Sequence, residues 1–311
     1  MLRTSTALTS LFLVVMLFLS GLDSFKICSY NIPKFNKAKS SNYRVIHTLT
    51  RVFSRCDISL LLHVQDPAAV RTLLKSLNRY SDSENYRYLG KFKYESVSSE
   101  ALGKDPKDLQ HYTFIYRTQT VSLIGQHQHQ SSNFVRPPFA VHFHSNTTLE
   151  PEFVLIPLHS EPTQAVQEMD KLYDVFLEVV KMWNNTNVMF LGDFHAGCAY
   201  MTRSDKKDIR LFSNTSFSWL ITDRIDTTVT DQTHCPYDRM VVYGTSFLKQ
   251  IKPFSAKVFN PIKNFKIQSR RLVEVSDHFP LEVELKSSVM SLLQTQSLYF
   301  LLLSLHFLLD L

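Results

Sequence analysis

Three histidines, three aspartates and an asparagine close apolar runs that lie far apart in the chain. They stand in SYN (Asn31), PLH (His159), GDFHAGC (Asp193, His195), HCPYDR (Asp238) and SDHFP (Asp277, His278). A capping role at a turn would explain Asp193 or Asp238 singly. Repeated at several strand ends, the pattern gathers imidazoles and carboxylates along one sheet edge. Phosphodiester hydrolysis needs such a set. A base deprotonates water, an acid protonates the leaving oxygen, and charge growing around phosphorus is neutralised. Two histidines can divide the acid and base roles near neutrality if carboxylates orient them. Carboxylate and amide oxygens also suit hard cations such as Mg²⁺ or Ca²⁺.

The positioning elements are legible from periodicity. FKICSYNI (25–32) reads as a first strand, and Val45, Ile46, Leu49, Val52 and Phe53 recur at helical spacing. ISLLLHV (58–64) follows as a strand buried on both faces, ending at His63, Gln65 and Asp66. HYTFIYR and VSLIG read as a strand pair, as do FAVHFH and EFVLIPLH. A helix is expected from about Thr163, with Val166, Met169, Leu172, Tyr173, Phe176, Val180 and Trp183 as its buried stripe. NVMFLGD, RMVVYG and LEVEL are later strands. Mixed strand directions with intervening helices predict one α/β domain of two packed sheets and outer helices. The alternating histidines of HQHQ (His127, His129) and HFH (His142, His144) read as a polar loop and a strand, with no metal site expected.

FKICSYNI, SRCDISLL, IPLH, LYDVFLEV, GDFHAGCAY, DTTVTDQTHCPYDRMVV and SDHFPLEVEL together, in this order, resemble the deoxyribonuclease I family across residues 25–286. The hydrophobic tail places the resemblance nearest the membrane-anchored deoxyribonuclease-I-like 1 branch. The resemblance implies a four-layer α/β sandwich (the endonuclease–exonuclease–phosphatase fold). It also implies divalent-metal hydrolysis of DNA to 5′-phosphate ends. On the matching positions, His159 and His278 are the acid–base pair and Asp238 orients His278. Asn31, Asp193 and Asp277 surround metal and scissile phosphate, Arg136 contacts phosphate, and Cys198–Cys235 is the structural disulfide.

The departures bear on activity. His63 stands where the family has a metal-binding glutamate, and Gln110 where a glutamate partners the histidine matching His159. His195 replaces an asparagine near the phosphate, while Gln65 and Asp108 replace an arginine and a tyrosine that reach the minor groove. Neutral imidazole is a poorer Mg²⁺ ligand than carboxylate and better suited to Mn²⁺ or Zn²⁺. Gln110 can hydrogen-bond an imidazole but adds no charge to stabilise the imidazolium. Two readings follow. One is an endonuclease with reduced activity or altered metal dependence; the other is a catalytically impaired surface protein that keeps the fold and DNA affinity. A phosphodiesterase for another substrate is a third.

The ends have a different character. Residues 1–24, with Arg3 before LFLVVMLFL, match a secretory signal peptide. Residues 287–311 match a hydrophobic lipid-anchor addition signal, which would tether the protein to the outer leaflet. Sequons at Asn146, Asn184 and Asn214 suit a secreted or cell-surface glycoprotein. Four cysteines permit three full pairings; with Cys198 joined to Cys235, Cys28 and Cys56 either pair with each other or stay as buried thiols. A formal net charge of +6 favours polyanions such as DNA. A monomer is expected.

Overall fold

The computed structural model describes residues 24–81 and 92–288. The expected signal peptide and anchor signal therefore fall almost wholly outside the described residues. Among the described residues, no helix is long and apolar enough to cross a membrane.

Two six-stranded sheets form the centre. The first contains β1 (Phe25–Phe35), β2 (Ile58–Val64), β3 (Tyr94–Ser98), β4 (His111–Arg117), β11 (Lys257–Val258) and β12 (Leu281–Leu285), in the order β11-β12-β1-β2-β4-β3. The second contains β5 (Ser122–Gln128), β6 (Phe139–His144), β7 (Glu152–His159), β8 (Val188–Asp193), β9 (Phe217–Trp219) and β10 (Asp238–Tyr243), in the order β5-β6-β7-β8-β10-β9. Helices α1 (Tyr43–Phe53), α2 (Pro67–Ser81) and α4 (Ser269–Val275) cover the first sheet, and α3 (Ala165–Trp183) covers the second. This is the expected four-layer sandwich.

Strand alternation explains the unbroken apolar runs. Ile58, Leu60 and Leu62 of β2 point between the sheets, while Leu61 and Val64 point at α1 and α2. Phe153 and Leu155 of β7 likewise face the first sheet, and Val154, Ile156 and Leu158 face α3. Both faces are covered, so polar residues are excluded until the strand ends. After β2, Asp66 accepts the Ala68 N–H at 2.7 Å and Pro67 opens α2, a cap and a first-turn proline acting together.

Topology brings the chemistry to one edge. β1 runs parallel to β2, and β7 parallel to β8, so Asn31, His63, His159 and Asp193 sit at or near carboxyl ends. β4 and β10 run antiparallel to these neighbours, so their starts, with Gln110 and Asp238, reach the same edge. β12 is antiparallel to β1, which delivers Asp277 and His278 from just ahead of it.

Three expectations need correction. β4 and β5 do not pair: both edges of β4 are already taken by β2 and β3, so the chain crosses to the other sheet. Cys28 and Cys56 are not thiols but a disulfide, with Cα atoms 6.1 Å apart. The α1 crossover returns the chain beside β1, where Cys28 lies opposite Ser59, and that closeness makes the bond feasible. Cys198–Cys235 is the second disulfide, as expected. HQHQ, finally, is no loop; His127 is in β5 and His129 follows it directly.

Gly192 is where two strands meet too closely for a side chain. Its φ is +134°, and a Cβ there would come 2.2 Å from the Leu158 carbonyl oxygen. Gly192→Ala is expected to destabilise the protein by roughly 2–4 kcal/mol through strain plus backbone clash. Gly244→Ala, at φ +77° with open space around it, is expected to cost only about 1–2 kcal/mol. Urea unfolding of the two variants checks this; equal losses would refute the crowding argument.

Candidate active site

Asp193 is the hub. It is 1% exposed, at the end of β8, between His159 of β7 and Asp238 of β10 in register. Asn31 Nδ2 donates to its Oδ2 at 2.9 Å, and the His195 backbone N–H donates to Oδ1 at 3.2 Å. The same Oδ2 lies 3.9 Å from His159 Nε2 and 3.7 Å from His278 Nε2. The two imidazoles, 119 residues apart in sequence, therefore aim the same nitrogen at one point. Burial alone would raise the Asp193 pKa, but the imidazoles of His195, His278 and His159 outweigh it and hold the carboxyl below its usual range.

The environments of the two histidines differ. His278 Nδ1 donates to Asp238 Oδ2 at 2.7 Å. Burial opposes its charge, yet Asp238 and Asp193 together push its pKa up to about 10. Burial also raises Asp238 against the pull of His278, so the pair as a unit keeps its proton through neutral pH. His159 is driven the other way. Burial, then Arg136, lower its pKa well below the ordinary value, with Asp193 opposing. One imidazole is held protonated and the other unprotonated.

Gln110 fixes the His159 tautomer. Its amide nitrogen, Nε2, donates a hydrogen bond to Asp108 Oδ2 at 3.1 Å, so its Oε1 faces His159 Nδ1 at 2.9 Å. Nδ1 must then carry the proton, which leaves Nε2 bare and facing the Asp193 side. Asp108 is a junction for the other departures too. It accepts from Gln65 Nε2 at 2.9 Å and lies 3.7 Å from His63 Nε2. His63, Gln65 and Gln110 thus surround one carboxylate.

Not every expected residue joins the centre equally. His63 packs against His159 with ring centroids 5.3 Å apart, and burial, ahead of the opposing pull of Asp108, lowers its pKa to about 4. It is a neutral ring. Asp277 is at the rim, 4.0 Å from His278 Nε2 and largely exposed. His195 stacks on His159 at 6.2 Å, and its Nδ1 is 3.1 Å from the Ser160 hydroxyl. Arg136 is buried and donates to the carbonyls of His159 (2.9 Å) and Ser160 (3.0 Å) and to Glu161 (3.3 Å). Those bonds spend much of its guanidinium on holding the end of β7. Asn146 and Asn184 are exposed and Asn214 is half-buried.

Sequence reasoning missed three contributors. The sequence marks Asp108 only as a replaced minor-groove residue. Tyr112 accepts the His159 N–H and donates to the Arg136 carbonyl, both at 3.0 Å; a core tyrosine whose hydroxyl needs a partner was the available signal. Lys39 is a half-buried cation near Asp277, with burial lowering its pKa to about 8. Beyond His195, a groove of about 560 Å³ is lined by Arg203, Lys206 and Arg224, by Asp223, which is ion-paired to Lys206, and by Cys198 and His234.

For the metal set, Asn31 Oδ1 and His63 Nε2 are buried atoms without a hydrogen-bond partner. Two orphaned acceptors on adjacent parallel strands fit a cation, and the imidazole nitrogen favours one that tolerates nitrogen over Mg²⁺. A tighter cluster of Asp193, Asp238 and His278 excludes His63, and there the His278–Asp238 hydrogen bond already occupies the donors.

Because the folded pKa of His278 is the higher one, its stabilisation is complete below about pH 6.5 and is lost as pH rises towards about 10. In an NMR titration, the His278 ring is expected to stay protonated to at least about pH 9, and Asp238→Asn to lower its midpoint by at least about two units. An unchanged midpoint would show that Asp238 does not hold the proton.

No family model matches the chain. Curated relatives do. Mouse deoxyribonuclease-1 is 39% identical over 287 residues, covering 89% of this chain and 96% of that protein. Rat deoxyribonuclease gamma is 36% identical over 293 residues, covering 91% of each. Human deoxyribonuclease-1-like 1 is 34% identical over 295 residues, covering 94% of each. This narrow spread singles out no branch, so the proximity to deoxyribonuclease-I-like 1 expected from the tail gains no support. Among solved structures, an endonuclease/exonuclease/phosphatase family protein from Leptotrichia buccalis aligns with TM-score 0.59 at 15% identity, covering 85% of this chain and all of that one. D. rerio TDP2 complexed with a single-strand DNA product aligns with TM-score 0.57 at 12% identity, with the same coverage. Those two likenesses speak to the fold, whereas identity above a third along nine-tenths of the sequence speaks to descent: the chain belongs to the deoxyribonuclease I family.

Proposed function

We propose that this protein is a secreted or surface-anchored endonuclease that hydrolyses DNA phosphodiester bonds, leaving 5′-phosphate ends, with reduced activity in Mg²⁺. The observation that carries the reading is the convergence of His159 and His278 on Asp193 from opposite protonation states. His159 Nε2, unprotonated, takes the proton of the attacking water. His278 Nε2–H gives its proton to the departing 3′ oxygen, and Asp238 stabilises the cation beforehand. Asn31 and His195 are placed to orient phosphate oxygens, and Lys39 and Arg136 supply nearby positive charge. Asn31 and His63, with Asp193 and Asp277 at the flank, would hold a divalent cation, which when bound neutralises charge on the phosphate. Mn²⁺ or Zn²⁺ suits His63 better than Mg²⁺ or Ca²⁺. The groove with Arg203, Lys206 and Arg224 supports a polyanion track for DNA.

Two disulfides and sequons whose asparagines are exposed at 146 and 184 and half-buried at 214 support passage through the secretory pathway, with glycans on Asn146, Asn184 and Asn214. The expected leader and tail, taken together, support display at the cell surface.

Purified protein incubated with plasmid DNA in Mg²⁺ plus Ca²⁺, Mn²⁺, Co²⁺ or Zn²⁺ tests this. Nicking is expected to be stronger in Mn²⁺ or Co²⁺ than in Mg²⁺, and His159→Ala to reduce it by about 10²–10⁴-fold. No nicking in any metal, with DNA binding retained, would favour the impaired surface protein instead.

Asp108 acts through Gln110 and is a positioning residue. Asp108→Asn is expected to lower kcat about tenfold, less than losing a directly bonded carboxylate, and leave KM for DNA nearly unchanged. It should also move the acidic limb of the pH profile to lower pH, because a negative charge near the base is lost. Asp108→Glu should restore part of the rate. A uniform loss of folded protein with no change in the profile would leave Asp108 a structural residue only.

A further inference from the structure

Away from the catalytic edge, a strand and a helix bring three metal-binding side chains together. His127 lies in β5, the edge strand of the second sheet, and His129 directly follows it. Two residues apart on an extended segment, both rings point to the same face. Gly125 continues that face, and its missing side chain lets the Trp183 indole at the end of α3 lie against the strand, 3.1 Å from where a Cβ would be. Earlier in α3, Glu178 meets both rings. Its Oε1 is 2.6 Å from His127 Nε2 and its Oε2 is 2.5 Å from His129 Nδ1. The three ligand atoms lie within 4.8 Å of one another. The side chains are 22%, 14% and 35% exposed, so the cluster is partly sheltered yet open to solvent.

We propose that His127, His129 and Glu178 form a zinc site that clips the edge strand β5 to helix α3. Two imidazole nitrogens and one carboxylate oxygen make three of four tetrahedral positions, with water from the open side as the fourth. Bond lengths near 2.1 Å in a tetrahedron put the donor atoms roughly 3.4 Å apart, inside the 4.8 Å within which one donor atom from each residue already lies. Nitrogen-rich ligation selects a transition ion over Ca²⁺ or Mg²⁺, which take oxygen donors. On binding, each neutral ring carries its proton on the nitrogen facing away from the ion, which leaves His127 Nε2 and His129 Nδ1 bare to ligate. The site stands apart from the catalytic cluster of Asp193, Asp238 and His278. It also secures the start of the segment that leads to Phe134, packed on His129 at 5.7 Å, and on to Arg136.

The test measures bound Zn²⁺ by equilibrium dialysis on the full secreted chain, without reference to activity. The same measurement in a His63→Leu, Asp193→Asn background removes both the Asn31–His63 cation site and the Asp193 cluster from the count. Expected in that background is one equivalent of Zn²⁺, lost on adding His127→Gln. Glu178→Gln is the second variant, because its carbonyl can still accept a hydrogen bond and the fold survives. It should weaken Zn²⁺ binding at least about tenfold, since even indirect partners of a metal change affinity that much. Co²⁺ substituted into that background should give tetrahedral absorption bands that vanish on adding either variant, and Zn²⁺ should raise the Tm of that background but not after either variant is added. Unchanged Zn²⁺ stoichiometry and affinity in folded His127→Gln and Glu178→Gln would overturn the proposal.

Discussion

A carboxylate removed from water stays ionised only if hydrogen bonds and positive charge replace its lost hydration. Asp193 is in that position, and the site is built around the replacement. Asn31 and the His195 backbone donate to it, and three imidazoles surround it. The contributors come from β1, β7, β8 and the segment before β12, so both sheets must be in place before the charge is tolerated. The close β7–β8 approach at Gly192 sets His159 level with Asp193, and the antiparallel β10 sets Asp238 on the other side. Packing of the whole sandwich and ionisation at its edge are thus one problem.

The same carboxylate separates the two histidines into different roles. Both face Asp193 at similar distance, but only His278 has a second carboxylate bonded to Nδ1. His159 has an amide at the equivalent atom and Arg136 close by. The result is a proton held tightly on one ring and excluded from the other. A glutamate in place of Gln110 would narrow that difference by favouring the charged form of His159. Asp108 supplies the missing charge one hydrogen bond farther out, where its effect on the ring is weaker.

The departures at His63, Gln65 and Gln110 are scattered over 48 positions of sequence, counted from 63 to 110, yet they share Asp108 as a neighbour. Together they form a polar patch in which each group finds a partner or a neighbour, rather than three separate losses. His63 contributes a neutral ring against His159 with a bare nitrogen. That arrangement is compatible with a cation of softer preference and with simple packing, and the difference between these lies in what binds there.

Much of the architecture was legible in the residues themselves. The bounds expected for β2, β4, β6, β7 and β12 coincide with those observed, because both-face burial makes their apolar runs end sharply. Motif order identified Asp193, His159, Asp238 and His278 as partners. Pairing across sheets was not legible: nothing local to HYTFIYR-TQT-VSLIG tells that β4 already has two neighbours. The Cys28–Cys56 bond, the Asp108 junction and the meeting of His127, His129 and Glu178 were hidden for the same reason. Side-chain periodicity is a property of neighbours in the chain, and it determined which elements form and which faces they bury. Contacts between elements depend on strand direction, register and crossover, which only the packed sheets decide; protonation follows from those contacts, and so it too belonged to the tertiary structure.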